Sequence, residues 1–164
     1  MLCYNIMAQY SLCWRAALML LVTLLPRLGN AYDTPAFTQL SDGKTIAFDT
    51  FEGQSLLVAF WRSDCAPCVT EKPILLEVAK EHPLLRIVIV SLQDRATTLK
   101  HLDMPATNIQ ILLAKDDATE ILRMMNDTRA ALPYSVFLHT DGTVCESRTG
   151  LLGTRIVEEW MKRC

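Results

Sequence analysis

The stretch that decides the fold is Leu56-Leu57-Val58-Ala59-Phe60-Trp61-Arg62-Ser63-Asp64-Cys65-Ala66-Pro67-Cys68. Its first six residues form a continuous apolar run, the pattern of a strand buried on both faces. Its end reads as the opening of a helix expected from about residue 66 to 82, with Ile74, Leu75, Val78 and Ala79 on the apolar face. Pro67 fits the first helical turn, where a missing N–H costs nothing. Cys65 would stand at the N-terminus of that helix, where unpaired amides and the helix dipole favour a thiolate. A thiolate is the species that attacks a disulfide. Cys68 follows one turn later, near enough to close a small ring with Cys65. The stretch therefore predicts thiol–disulfide chemistry at a strand-to-helix junction.

Outward from the junction, strands and helices alternate. Residues 37–40 and 44–48 flank Ser41-Asp42-Gly43 as a short hairpin ahead of the main sheet. After the first helix, residues 84–92 read as a second buried strand, 96–102 as a short helix and 109–113 as a short strand. Asp116-Asp117 is placed to cap a helix reaching Met125. Residues 134–139 and 143–149 form a hairpin about Thr140-Asp141-Gly142, and a last helix runs from Thr154 to Arg163. This order implies an α/β domain with a central mixed sheet covered by helices on both faces. Met124 and Met125 read as core at helical spacing, and Trp160 as packing the last helix on the sheet. His82, His101 and His139 fall at element ends and read as surface or loop residues.

The chain of 164 residues fits one domain. Its formal charge of −2, with Lys and Arg scattered, gives no basic surface for nucleic acid. Much of the 51% hydrophobic content sits at the front. There the run from Ala16 to Leu25 follows Arg15 and precedes Gly29-Asn30-Ala31. That arrangement predicts a cleaved export signal over residues 1–31 and a mature domain over 32–164, on the periplasmic or extracytoplasmic side. An uncleaved anchor is the alternative, although the run is short for a span of roughly 30 Å. Cys3 and Cys13 precede the apolar run, which suits a lipoprotein signal badly.

Export permits disulfides, and four cysteines remain beyond the leader. Cys65 and Cys68 are too close in sequence to staple a long loop. Half of a zinc site would need a second ligand pair. Cys145 and Cys164 are far apart in sequence and no His accompanies either pair, so no metal is expected. For Cys145 and Cys164 themselves, a disulfide is possible because the last helix should return along the strand of Cys145. Two free thiols are the expectation, since a helix end frays.

The residues Phe60 to Cys68, with Pro73 five positions after Cys68, resemble the active-site stretch of the thioredoxin fold. With Asp42-Gly43-Lys44, Gly53, Glu71, Leu132-Pro133 and Asp141-Gly142-Thr143, the chain from about 35 to 162 is most similar to the TlpA-like exported thioredoxins. The helix and strand between 96 and 113 match the central insertion of that group. The resemblance implies a protein-disulfide oxidoreductase needing no cofactor beyond its dithiol. Its partners would be a disulfide-bearing protein substrate and a membrane thiol-transfer donor, and a monomer is expected. It also implies a cis-proline at Pro133 facing the dithiol, with the Leu132 backbone, Trp61, Ala66 and Pro67 forming the substrate surface.

Two departures refine the resemblance. Thioredoxins carry a buried Asp where this chain has Ala59, and the TlpA-like group commonly places an acid where Glu71 stands. Glu71 lies three residues beyond Cys68 on one helix face, so it is expected to shuttle a proton to and from Cys68 from partial burial. An exposed Glu pairing with a nearby Lys is the ordinary alternative. Asp64 replaces the Trp that most relatives carry before the first cysteine, and a carboxylate there should oppose a Cys65 thiolate. An Ala-Pro interior leans towards a reductase, with an oxidase or isomerase as the reverse direction. A peroxidase would want a Thr where Arg62 stands. A non-catalytic assembly factor on the same fold is the remaining alternative.

Overall fold

The computed structural model describes residues 35–51, 53–114 and 118–164. The expected leader and the Asp116-Asp117 cap lie outside these residues. Among the described residues, no helix is long and apolar enough to cross a membrane.

The strands are β1 (Phe37–Gln39), β2 (Thr45–Ile46), β3 (Leu56–Trp61), β4 (Arg86–Ser91), β5 (Ile109–Ala114), β6 (Tyr134–Leu138) and β7 (Val144–Thr149). The helices are α1 (Ala66–Glu81), α2 (Arg95–His101), α3 (Ala118–Met124) and α4 (Thr154–Arg163), with a 3-10 turn at Phe48–Phe51. The strands form one sheet in the order β2-β1-β5-β4-β3-β6-β7. β3, β4 and β5 run parallel, and β6 and β7 add antiparallel on one side. The expected N-terminal hairpin is present, but it extends the sheet rather than standing ahead of it, because β1 pairs antiparallel with β5.

β3 is buried along its whole length, as its unbroken apolar run requires. Its alternate residues feed two cores. Leu57, Ala59 and Trp61 pack with Leu75, Val78 and Ala79 of α1 and with Val157 and Trp160 of α4. Leu56, Val58 and Phe60 pack on the other face with Phe37, Phe48 and Phe51 and with Ile121 and Leu122 of α3. Trp160 meets the Phe137 ring edge-on at 6.4 Å, which anchors α4 as expected. Two expected core positions stand further out: Met124 is exposed while Met125 is buried, and Ile74 is only half-buried. α1 turns its buried stripe through Cys68, Glu71, Leu75, Val78 and Ala79, which leaves Ile74 at its margin.

Cys145 and Cys164 are joined by a disulfide, which corrects the expectation of two free thiols. α4 returns along β7 and brings the two Cα atoms to 6.0 Å. Beside the disulfide, Arg163 also pairs with Glu146 at 2.9 Å.

Candidate active site

β3 ends at Trp61 and α1 begins at Ala66, so the connecting residues 62–65 carry the first cysteine to a helix N-terminus. Cys65 is the N-cap: its Sγ accepts the backbone N–H of Cys68 at 3.2 Å, and its carbonyl accepts that of Val69 at 3.1 Å. Ala66 and Pro67 are exposed in the first turn, where Pro67 withdraws no hydrogen bond. Cys65 and Cys68 form a disulfide with Cα atoms 5.2 Å apart. Cys65 is half-exposed, whereas Cys68 is fully buried. This asymmetry leaves Cys65 the sulfur an outside reactant can reach.

Glu71 lies beneath the dithiol on the inner face of α1 and is 1% exposed, which excludes the surface Lys pairing. The neighbouring Lys72 donates instead to the His101 carbonyl at 2.7 Å. Glu71 Oε1 accepts the backbone N–H of Leu152 at 2.7 Å. Burial pushes the Glu71 carboxyl up to about 7, against the smaller downward pull of the Leu152 hydrogen bond.

The loop before β6 carries the expected cis bond. The Leu132–Pro133 peptide is cis. Pro133 is buried, and its carbonyl accepts the N–H of Gly150 at 2.8 Å. Leu132 and Cys65 both pack against the core group that holds Trp61, Cys68 and Leu152. Trp61 is itself buried, and its indole N–H has no partner among the described residues. It sits inside the core beneath the site and not on an open substrate surface.

Three supports were not anticipated from the sequence. Gln93 Oε1 accepts the N–H of Ser63 at 2.7 Å, which ties the loop after β4 to the loop bearing Cys65. Asp127, 3% exposed, accepts the N–H groups of Arg129 and Ala131 at 3.0 and 2.9 Å and so shapes the approach to Leu132. Polar residues near a loop carry no local signal of such partners; an Asp followed two and four residues later by the amides it holds was the only clue. Arg62 is the third. It forms a two-pronged bond to Asp64, Nε to Oδ1 at 2.9 Å and Nη2 to Oδ2 at 2.8 Å. Arg62 holds the Asp64 carboxyl below its usual range. The pair presents a dipole to Cys65 instead of the bare negative charge expected from Asp64 alone.

The four cysteines beyond residue 34 pair two by two. Among the described residues, Glu81, His82 and Glu158 place ligand-type atoms within 4.8 Å of one another, at the far end of α1 from the dithiol.

A buried parallel strand that delivers a CxxC pair to a helix N-terminus, in a sheet whose β6 follows a cis-proline, defines a thioredoxin-fold thiol–disulfide oxidoreductase. The family model described as redoxin matches residues 29–156, and the chain belongs to that family. The thiol-disulfide oxidoreductase ResA of Bacillus thuringiensis subsp. konkukian is 24% identical over 123 residues, which are 74% of this chain and 70% of that protein. The thioredoxin-related protein from Neisseria meningitidis serogroup B has a TM-score of 0.67 at 17% identity, over 77% of this chain and 96% of that one. A secreted Mycobacterium tuberculosis disulfide oxidoreductase, homologous to E. coli DsbE, has a TM-score of 0.61 at 22% identity, over 79% and 95%. These structural likenesses bear out the thioredoxin fold expected from the sequence.

Proposed function

We propose that the chain is an exported disulfide reductase in which Cys65 is the nucleophile, Cys68 the resolving thiol and Glu71 the proton shuttle. The observation that carries this reading is the half-exposed Cys65 Sγ seated at the N-cap of α1, above a fully buried Cys68. Reduced Cys65, as thiolate, attacks one sulfur of a substrate disulfide and forms a mixed disulfide, and the other substrate sulfur leaves as a thiolate. Cys68 loses its proton to Glu71 and attacks Cys65 Sγ. The second substrate sulfur departs and takes up a proton. Two electrons have passed to the substrate, and the Cys65–Cys68 disulfide remains for a membrane thiol donor to reduce. A carboxyl poised near 7 is suited to give and take that proton. Ala66, Pro67, Leu132 and Pro133 complete the substrate-binding site in this reading, over the buried Trp61 that supports it, with the Leu132 backbone available to an extended substrate segment.

Residues 1–31 act as an export signal or anchor and place the domain outside the cytoplasm, where disulfide substrates occur. The mature domain, residues 32–164, works as a monomer without metal or organic cofactor. The direction rests on the Ala-Pro interior between the cysteines. Insulin reduction by the purified domain, with Cys65→Ser as control, separates an enzyme from a binding module. The dithiol potential decides direction: a value near roughly −270 mV supports the reductase, whereas one near −120 mV makes the protein an oxidase.

A further inference from the structure

α3 ends in a turn that delivers Asp127. Asn126 adopts φ 67°; its N–H bonds to the Arg123 carbonyl at 3.0 Å and the Asp127 N–H to the Leu122 carbonyl at 2.8 Å, the paired bonds of a left-handed helix end. The Asp127 carboxyl then accepts the Arg129 N–H on Oδ1 at 3.0 Å and the Ala131 N–H on Oδ2 at 2.9 Å. Between those two amides stands Ala130, at φ 50°, a conformation that a Cβ disfavours. By gripping the amides on both sides, the carboxyl holds Ala130 where an alanine would not otherwise stay. Asp127 is buried, so water competes little for either bond.

Leu132 follows two residues after Ala130. Its side chain packs against both core groups, and among the described residues neither its N–H nor its carbonyl has a hydrogen-bond partner. Downstream the same helix end is used again, because the Tyr134 hydroxyl donates to the Met125 carbonyl at 2.5 Å. Leu132 and Pro133 are thus bracketed by two anchors at the end of α3, Asp127 before them and Tyr134 after. The turn has one other side-chain tie among the described residues, from Arg129 Nη2 to Thr149 Oγ1. At 3.4 Å and exposed, it is too long to set the turn by itself.

We propose that Asp127 is a positioning residue for polypeptide substrates, setting the Leu132 backbone where it pairs with the extended segment that flanks a substrate's disulfide. The proposal rests on the dithiol reading of the site and adds selectivity to it. Bonds to the Leu132 N–H and carbonyl can be made only by a substrate that has a peptide backbone. A small disulfide makes none of them and gains nothing from the clamp. Asp127 spends its carboxyl on the two amides, so its effect on the reaction passes through the turn alone.

The test compares single-turnover rates of the reduced protein with two disulfides, taking the Cys65→Ser protein as background. One is a capped Ser-Ser-Cys-Ser-Ser peptide dimer, the other the small neutral dithiodipyridine. Asp127→Asn keeps the shape but offers one acceptor to two amides. It should slow the peptide reaction about tenfold and leave the dithiodipyridine rate within about twofold of native. Ala130→Val fits a positive φ worse than alanine and should give the same selective loss with Asp127 in place, which keeps the test open if Asp127→Asn folds poorly. Ala130→Gly takes a positive φ freely and should restore most of the peptide rate to Asp127→Asn. Run from the oxidised protein and the peptide thiol, the losses should be the same, so the direction of electron flow does not enter. Equal slowing with both disulfides, an unchanged peptide rate, or a loss that Ala130→Gly leaves untouched would each overturn the proposal. A native protein that reacts with neither disulfide would overturn the dithiol reading and this inference with it.

Discussion

Glu71 and Leu152, 81 positions apart in the chain, are joined by a 2.7 Å hydrogen bond from the Leu152 backbone N–H to the buried carboxyl. The bond links the helix that carries the dithiol to the segment leading into α4. It is one of few polar contacts in that core, and it does not offset the burial of the acid. The carboxyl therefore stays largely protonated up to about pH 7. The N–H of Leu152 can bond to either protonation state, since the neutral acid keeps a carbonyl oxygen.

Stability should consequently fall as pH rises through this window. In the unfolded chain Glu71 ionises near the ordinary carboxyl value of 4.5, while in the folded protein it holds its proton to about 7. Between these values the folded state binds more protons, so unfolding becomes easier with rising pH. Below 4.5 the penalty is absent; above 7 it is complete, on the order of 3 kcal/mol. Glu71→Gln keeps an acceptor for Leu152 and removes the titration. Urea unfolding at pH 5 and pH 8 should show a loss of stability in the native chain that the variant lacks.

The same substitution should slow catalysis. A Gln cannot take the Cys68 proton, so decay of the Cys65 mixed disulfide should slow by roughly 10²-fold, the low end for general acid–base catalysis. Its pH profile should lose the inflection near 7. Stopped-flow decay of a mixed disulfide with a chromogenic thiol measures both. An unchanged rate and profile would leave Glu71 a structural residue only.

The terminal staple makes a separate prediction. In the chain-entropy account, closing a 19-residue separation between Cys145 and Cys164 contributes about 3 kcal/mol. Cys145→Ala with Cys164→Ala should lower the melting temperature by roughly 10 °C, given the entropy of unfolding of a domain this size. The insulin-reducing activity of the folded protein should persist, because neither sulfur belongs to the dithiol cluster. Differential scanning calorimetry and the insulin assay together check the two halves.

The sequence carried the fold where one physical signal dominated. The unbroken apolar run Leu56 to Trp61 could only be a central strand, and α4 is found at Thr154–Arg163 as expected. The dithiol was legible because its two residues act through local spacing alone. What stayed hidden depended on distant partners. Glu71 and Gln93 meet the backbone N–H groups of Leu152 and Ser63, far along the chain, which no pattern marks. The pairing of Cys145 with Cys164 depended on how closely α4 returns along β7, a relation between two elements that neither stretch of sequence marks. The hairpin was recognisable from its turn, but its attachment to β5 depends on pairing across more than 70 residues.

Arg62 supplies the last prediction, since it turns Asp64 from an unscreened neighbour of Cys65 into half of an ion pair. Arg62→Gln leaves the carboxylate bare beside the nucleophile. At exposed separations of a few ångströms the released charge disfavours the thiolate modestly. Trapping of the reduced protein by iodoacetamide at pH 7 should slow by roughly two- to threefold. Asp64→Asn alone leaves the Arg62 cation unpaired and should speed trapping modestly, and the double variant, which keeps neither charge, should trap at close to the native rate. In 1 M salt, where screening acts over about 3 Å, the difference between the native chain and Arg62→Gln should shrink. A loss of trapping that persists in the Arg62→Gln, Asp64→Asn double variant would instead assign Arg62 a direct contact with the thiolate.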